Sequence, residues 1–208
     1  MKKTLRCFFT LILMGMLLTG CIPVGKSERS ATPLASFSYD PDLIDAYTKE
    51  YIKPDEKIYR LVLDAVHRFE TSVPLPSHQT ITTQAAEAIS AAVFARLELP
   101  FLRSITLSPD GTAIDIQYRA GFTKASANEA KNAYIDQMQY ILAHVASPQY
   151  TDVENVIAIY RHFSKCTYNE AAEDVGAYGI MVHSEGICTG YAYALRDVLE
   201  QLHIPSYL

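Results

Sequence analysis

The sequence lacks the patterns that mark several large classes of function. It has no Cys-x-x-Cys and no His-x-x-x-His pair, which are common spacings of zinc ligands. It has no glycine-rich loop between a strand and a helix, which would be needed to bind a nucleotide phosphate. Internal repeats are also missing. We therefore expect no metal, no nucleotide and no other cofactor.

Basic residues are scarce as well. Lys and Arg number 18 against 23 acidic residues, and residues 1–20 hold three of the basic residues and none of the acidic ones. The remainder of the chain then has 15 basic residues and a formal charge of −8. This balance argues against a nucleic-acid partner. The length suits one domain, or one domain with a small N-terminal module.

The first 21 residues have the composition of an export signal. Lys2, Lys3 and Arg6 precede an apolar run at 7–18, which with 12 residues is too short to span a bilayer. The letters LTGC follow at 18–21, and this order resembles the lipobox of bacterial lipoproteins. The resemblance implies that residues 1–20 are removed and that Cys21 is lipidated. The lipid would hold the protein on an envelope membrane, outside the cytoplasm. An uncleaved signal anchor is the alternative.

Composition and periodicity divide the rest of the chain into three segments. Residues 21–38 are rich in Ser, Pro, Ala and Gly, which is typical of a flexible tether. Residues 39–150 are predicted to form an N-terminal α/β module, and 151–208 a second domain. Helical spacing of apolar residues predicts helices at about 41–51, 54–70, 82–97 and 127–145.

Two local signals are more specific. Apolar and polar residues alternate at 101–107 and 113–118, on either side of a Ser-Pro-Asp-Gly turn, and this pattern predicts a β-hairpin. Thr151 and Glu154 form the sequence of a capping box, which predicts the start of a further helix. We expect the inner face of that helix to consist of Val153, Val156, Ile157, Tyr160 and Phe163. The expected fold class is α/β, of the α+β type.

The most informative segment is GICTGYA at 186–192. Cys188 begins an amphipathic helix there, and backbone N–H groups and the helix dipole favour a thiolate at such a position. Gly190 leaves room for a substrate beside the sulfur, and the N–H group of Cys188 points where an oxyanion would develop. The segment therefore predicts a cysteine nucleophile. A Cys166–Cys188 disulfide is the alternative, although we expect Cys166 to be a small buried residue.

The order of elements around Cys188 resembles the bacterial transglutaminase-like superfamily. The resemblance covers residues 151–208 and rests on a capped helix, CTYN at 166–169, AYG at 177–179, GICTGYA and HIPS at 203–206. It implies the first half of a papain-like core, in which Cys188 forms a thioester with a glutamine side chain or a peptide carbonyl. An amine or water would then resolve the thioester. The implied site residues are Cys188, with Gly186, Thr189 and Gly190 as the nucleophile loop and Tyr168 and Tyr191 as structural neighbours.

The chain departs from this family after the cysteine helix. Similar proteins place a histidine and then an aspartate on strands that follow, and neither position occurs here. We expect the chain to be an incomplete form, inactive as it stands, with little sheet to cover Leu195, Val198, Leu199 and Leu202. His183 is a weak substitute for the base, the direction of His162 is undetermined, and His203 lies too far along the helix. The alternative function is a non-catalytic envelope lipoprotein that binds a peptide, a polysaccharide or a protein.

Overall fold

The computed structural model describes residues 36–41, 43, 50, 52–76, 80–172, 174 and 176–206. Several predicted features lie outside the described residues. They are the export signal, the predicted lipidation site Cys21, most of the predicted tether and most of the predicted helix at 41–51. Within the described part, no helix combines the length and apolar character needed to cross a bilayer.

The described residues form a mixed α/β structure, with 51% helix and 12% strand, so the predicted class is confirmed. The helices are α1 (Glu56–Arg68), α2 (Thr83–Phe94), α3 (Lys124–His144), α4 (Asp152–Phe163) and α5 (Cys188–Gln201). The strands are β1 (Ser72–Pro74), β2 (Leu102–Leu107), β3 (Ala113–Tyr118), β4 (Thr167–Tyr168) and β5 (Glu185–Gly186). A π-helical turn, Gly179–His183, precedes β5.

Side-chain caps mark the starts of α1 to α4. Both hydrogen bonds of the predicted capping box are present at Thr151, so the start of α4 is confirmed. Thr82 caps α2 by accepting from the N–H group of Ala85. Helix α3 begins three residues earlier than predicted, because Thr123 and Ser126 form a second capping box.

The predicted hairpin is confirmed as β2 and β3. Its turn is closed by the N–H group of Gly111, which donates to the carbonyl of Ser108 at 2.9 Å, and Gly111 has φ +71°. Strand β1 was not predicted; it pairs antiparallel with β3, which gives the order β1-β3-β2. Helices α1 and α2 supply most of the other residues of this first core, among them Ile58, Val62 and Ile89.

A second core joins α3, α4, the π-helical turn and α5. Its fully buried members include Tyr134, Met138, Ile159, Ile180 and Val198. Little sheet was expected to cover the apolar face of α5. Helices, rather than a sheet, cover it, so that Val198, Leu199 and Leu202 are buried and Leu195 is half-buried.

The predicted inner face of α4 is also wrong. Val153, Ile157 and Tyr160 are 67%, 44% and 65% exposed, and Val156 is half-buried; of the predicted set only Phe163 is buried. Asn155 and Ile159 take the inner positions instead. The side chain of Asn155 accepts from the N–H group of Ser147 at 2.9 Å and donates to its carbonyl at 3.2 Å. Because the amide of Asn155 is buried with these two hydrogen bonds, α4 is rotated so that its most apolar face does not point into the core.

Candidate active site

A short parallel ladder holds the residues that lead into Cys188. Thr167 and Tyr168 in β4 pair with Glu185 and Gly186 in β5. The N–H group of Thr167 donates to Ser184 at 2.8 Å, and that of Asn169 donates to Gly186 at 2.9 Å. The π-helical turn lies between the two strands of this ladder. The ladder thus fixes the backbone two residues before the thiol.

Two glycines allow the π-helical turn and β5 to pack closely. A Cβ atom on Gly179 would lie 2.3 Å from the carbonyl oxygen of Asp174 and 2.8 Å from that of Glu185. A Cβ atom on Gly186 would lie 3.1 Å from Cδ1 of Ile180. The π-helical turn therefore packs against β5 more closely than any side chain would allow.

Cys188 is the first residue of α5, and its side chain is exposed. Ile187 precedes it in an extended conformation, and its apolar side chain does not cap the N–H groups of the first turn. One turn later, the hydroxyl of Tyr191 donates to the carbonyl oxygen of Cys166 at 2.8 Å. This hydrogen bond ties the start of α5 to the segment that follows α4.

Cys188 opens into a groove of about 460 Å³ between α4 and α5. Aromatic and apolar side chains dominate its lining, which consists of Tyr160, Phe163, Ser164, Tyr168, Cys188, Tyr191, Ala192 and Leu195. No Asp, Glu, Lys, Arg or His is among these described lining residues. A charged group entering the groove would lose hydration without a partner of opposite charge, so the groove favours an uncharged, apolar occupant.

The two described cysteines are both free, so the Cys166–Cys188 disulfide is not formed in the structure. Cys166 is half-buried rather than buried, and its thiol donates to the carbonyl oxygen of Ile180 at 3.9 Å. Burial raises the pKa of the Cys166 thiol, which outweighs a hydrogen bond from Ser184. The raised pKa keeps Cys166 in the less reactive thiol form, whereas Cys188 is open to solvent.

The structure brings together most of the predicted site residues. Tyr168 and Tyr191 line the groove beside the thiol, and Gly186 and Gly190 are buried on either side of it in sequence. Thr189 is exposed at the second position of α5. Tyr191 and Ala192 are half-buried because they form one wall of the groove.

None of the three histidines considered as a base lines the groove. His183 is exposed, and its ring contacts that of Tyr178 with centroids 5.2 Å apart. His162 is half-buried against Phe163, and burial, with Lys165 nearby, lowers its pKa. His203 is exposed beyond the end of α5. Glu185 accepts a hydrogen bond from Asn169 at 3.3 Å and is outside the groove lining.

Five lining residues were missed from the sequence: Tyr160, Phe163, Ser164, Ala192 and Leu195. Tyr160 and Phe163 had been placed in the core. The available signal was the excess of apolar residues on α4, whose stripe of Val153, Ile157 and Tyr160 repeats at i, i+4 and i+7. Since Asn155 is buried, this stripe faces solvent and ends at the groove, in Tyr160.

No protein-family model matches the chain, and no curated protein or solved structure is significantly similar to it. The likeness to the transglutaminase-like superfamily therefore remains a prediction from the residues around Cys188. Among the described residues, no group of three or more His, Cys, Asp or Glu side chains could hold a metal ion.

Proposed function

We propose that this protein is a lipid-anchored envelope protein of the cysteine acyltransferase type, in which Cys188 accepts an acyl group as a thioester. Because no histidine is among the described residues that line its groove, we expect Cys188 to be acylated but the thioester to be resolved slowly in this chain. The observation that supports this proposal most strongly is the position of the thiol: free, exposed, at the first residue of a 14-residue helix, and open to an apolar groove. The protein belongs, on this proposal, with the transglutaminase-like cysteine enzymes and has a papain-like arrangement of helix and nucleophile.

The chemistry follows from the position of the sulfur. The Cys188 thiolate attacks a carbonyl carbon, and a C–S bond forms as the carbonyl π electrons move to oxygen. The N–H group of Cys188, at the start of α5, would donate to that oxyanion. Collapse of the tetrahedral intermediate breaks the carbonyl bond to the leaving group, which departs with a proton from solvent. An amine or water then attacks the thioester and releases the thiol.

The groove restricts the acyl group that can be transferred. An apolar surface lines the groove beside the thiol, formed by Tyr160, Phe163 and Leu195. A protein or peptide substrate would therefore place an aromatic or aliphatic side chain next to the reacting carbonyl, whereas a carboxylate there would be disfavoured. Both a glutamine side chain and a peptide bond are compatible with this surface.

The test compares two activated esters as acyl donors, p-nitrophenyl 3-phenylpropanoate and mono-p-nitrophenyl succinate. We expect the aromatic ester to acylate Cys188 faster, with a burst of p-nitrophenolate and the matching mass increase on the peptide that contains Cys188. Cys166→Ala should behave like the unchanged chain, and Cys188→Ala should show no burst. An undiminished burst in Cys188→Ala would overturn the proposal.

A second candidate function is non-catalytic binding of an envelope protein. The exposed stripe of Val153, Ile157 and Tyr160 on α4 favours it, because a contiguous apolar surface of this kind is suited to docking. In that case Cys188→Ala would leave partner binding unchanged, and Ile157→Lys would weaken it.

A further inference from the structure

A second groove lies in the N-terminal part of the fold, between α2 and β2. Its volume is about 570 Å³, and its lining consists of Thr83, Ala86, Glu87, Ser90, Ala91, Ile105, Thr106, Leu107, Ser108 and Pro109. The wall on α2 is built from short side chains, among them Ala86, Ser90 and Ala91, so the helix leaves space beside the strand. This groove shares no lining residue with the one at Cys188.

One side of the groove is an unpaired sheet edge. In the order β1-β3-β2, strand β2 has a described partner on one side only, β3. The N–H group of Ser108 donates to the carbonyl of Ala113 at 2.9 Å, and Thr106 lies opposite Asp115. Because bonded positions alternate along an antiparallel ladder, Thr106 also bonds to β3, while the peptide groups of Ile105 and Leu107 face away from it.

The charge of the groove selects among possible strands. Glu87 is the one ionisable side chain among the described lining residues, and it is exposed on α2. A strand with a Lys or Arg side chain opposite Glu87 would gain a favourable charge contact at the rim, and one with an acidic side chain would be repelled.

We propose that this groove binds an extended peptide segment, which adds a strand to the edge of β2 and places a basic side chain near Glu87. The peptide groups of Ile105 and Leu107 supply the backbone hydrogen bonds, and the gap left by Ala86, Ser90 and Ala91 accepts a side chain of the peptide. Recognition of this kind combines main-chain pairing for affinity with side-chain pockets for specificity. It does not involve Cys188.

The test begins with selection of a displayed random heptapeptide library on the full chain. Synthetic copies of the selected peptides are then added while amide hydrogen exchange is followed by NMR. We expect the amides of Ile105 and Leu107 to exchange about tenfold more slowly, or slower still, with peptide bound. The Thr106 amide, already bonded to β3, is the internal control and should change little. Peptides N-methylated at the alternate residues that face β2 should not bind.

Two variants on α2 localise the binding. Ala91→Tyr fills the groove and should abolish binding, whereas Gln84→Tyr, exposed on the same helix outside the lining, should not. Glu87→Lys should shift the preference from a Lys-containing peptide toward its Glu-containing copy by roughly fivefold, the equivalent of one exposed ion pair.

Four results would overturn the proposal. Selection could yield no binder, or the binders could tolerate Ala91→Tyr. The Ile105 and Leu107 amides could stay unprotected when peptide binds. Finally, these two amides could already be protected in the free protein, which would show that a segment of the same chain covers the edge.

Discussion

At the scale of single residues, the site depends on one very close backbone contact. Gly179 begins the π-helical turn, and a Cβ atom on it would lie only 2.3 and 2.8 Å from the carbonyl oxygens of Asp174 and Glu185. Both neighbours are backbone atoms, and Glu185 belongs to the ladder that leads to Cys188. The glycine therefore determines the approach of the chain to the nucleophile.

Replacing Gly179 by Ala should consequently destabilise the protein. We expect the free energy of unfolding in urea to fall by roughly 1–3 kcal/mol, the usual range for overpacking a close contact. Gly176→Ala is the matched control, since its Cβ atom would meet a side-chain oxygen of Asp174 at 3.3 Å, which can rotate away. Equal losses in the two variants would show that the contact at Gly179 is not the reason for the glycine.

At the scale of elements, local signals were sufficient wherever a few neighbouring residues determine the geometry. The Pro-Asp-Gly turn between β2 and β3 and the capping box at Thr151 are of this kind, and both were predicted. Strands β1, β4 and β5 have only two or three residues each, so their pairing depends on distant parts of the chain. The same holds for the π-helical turn, which forms against Asp174 and β5.

The residues of the candidate site also fall into a group that local sequence predicts and a group that it does not. Cys188 and its flanking glycines were predicted because a nucleophile at a helix start is a local pattern. The wall of the groove on α4 was not predicted, since the rotation of that helix is set by the hydrogen bonds of Asn155 to Ser147. Apolar periodicity alone favoured the opposite orientation.

The orientation of α4 can be tested with two isoleucines. Ile159→Ala should lower the free energy of unfolding by about 2–4 kcal/mol, because Ile159 is fully buried in the second core. Ile157→Ala removes the same atoms from an exposed position and should change it by about 0.5 kcal/mol or less. Thermal and urea unfolding measure both. A larger effect at position 157 would restore the orientation expected from periodicity.

Helix α5 also contains a carboxyl group, that of Asp197, whose pKa is raised. The Tyr134 hydroxyl donates to Oδ2 of Asp197 at 2.6 Å in the second core. Burial raises the pKa of Asp197 to about 7, and Glu98 also raises it, against the opposing effects of the Tyr134 hydrogen bond, Arg196 and Arg96. Folding thus favours the neutral form of this side chain.

The raised pKa of Asp197 determines how the free energy of unfolding depends on pH. An unfolded aspartate loses its proton near pH 4, whereas the folded one keeps it to about pH 7. The contribution of Asp197 to the free energy of unfolding should therefore fall between about pH 4 and 7 and then level off. Asp197→Asn should remove this part of the pH dependence, and Asp136→Asn, exposed on α3, should not. Urea unfolding at several pH values would contradict the account if both variants gave parallel profiles.

At the scale of the whole molecule, α3 connects the two cores. Ala127, near its start, packs with the first core, and Tyr134, Met138 and Ile141 pack with the second. Residues that follow the predicted tether are held by the end of α5: the N–H group of Asp40 donates to Gln201 at 2.8 Å, and Gln201 donates back at 3.3 Å. Asp40 is therefore fixed to the end of α5.

The predicted lipid anchor makes a separate prediction for the whole protein. In a bacterial host that processes lipoproteins, the chain should partition with membranes and show the mass of a lipidated N-terminus at Cys21. Cys21→Ser should remove the lipid and release the protein into the soluble envelope fraction, or leave the signal uncleaved. Membrane association of the Cys21→Ser chain with residues 1–20 removed would contradict the lipoprotein prediction.

The central claim is that Cys188 is a reactive thiol made accessible by its place at the start of α5. The most direct measurement is the rate of alkylation of each cysteine by iodoacetamide at pH 7, followed by peptide mass spectrometry on the same sample. We expect Cys188 to react faster than the thiol of an unstructured peptide and Cys166 to react more slowly. A rate at Cys188 no greater than that of the peptide thiol would contradict the account.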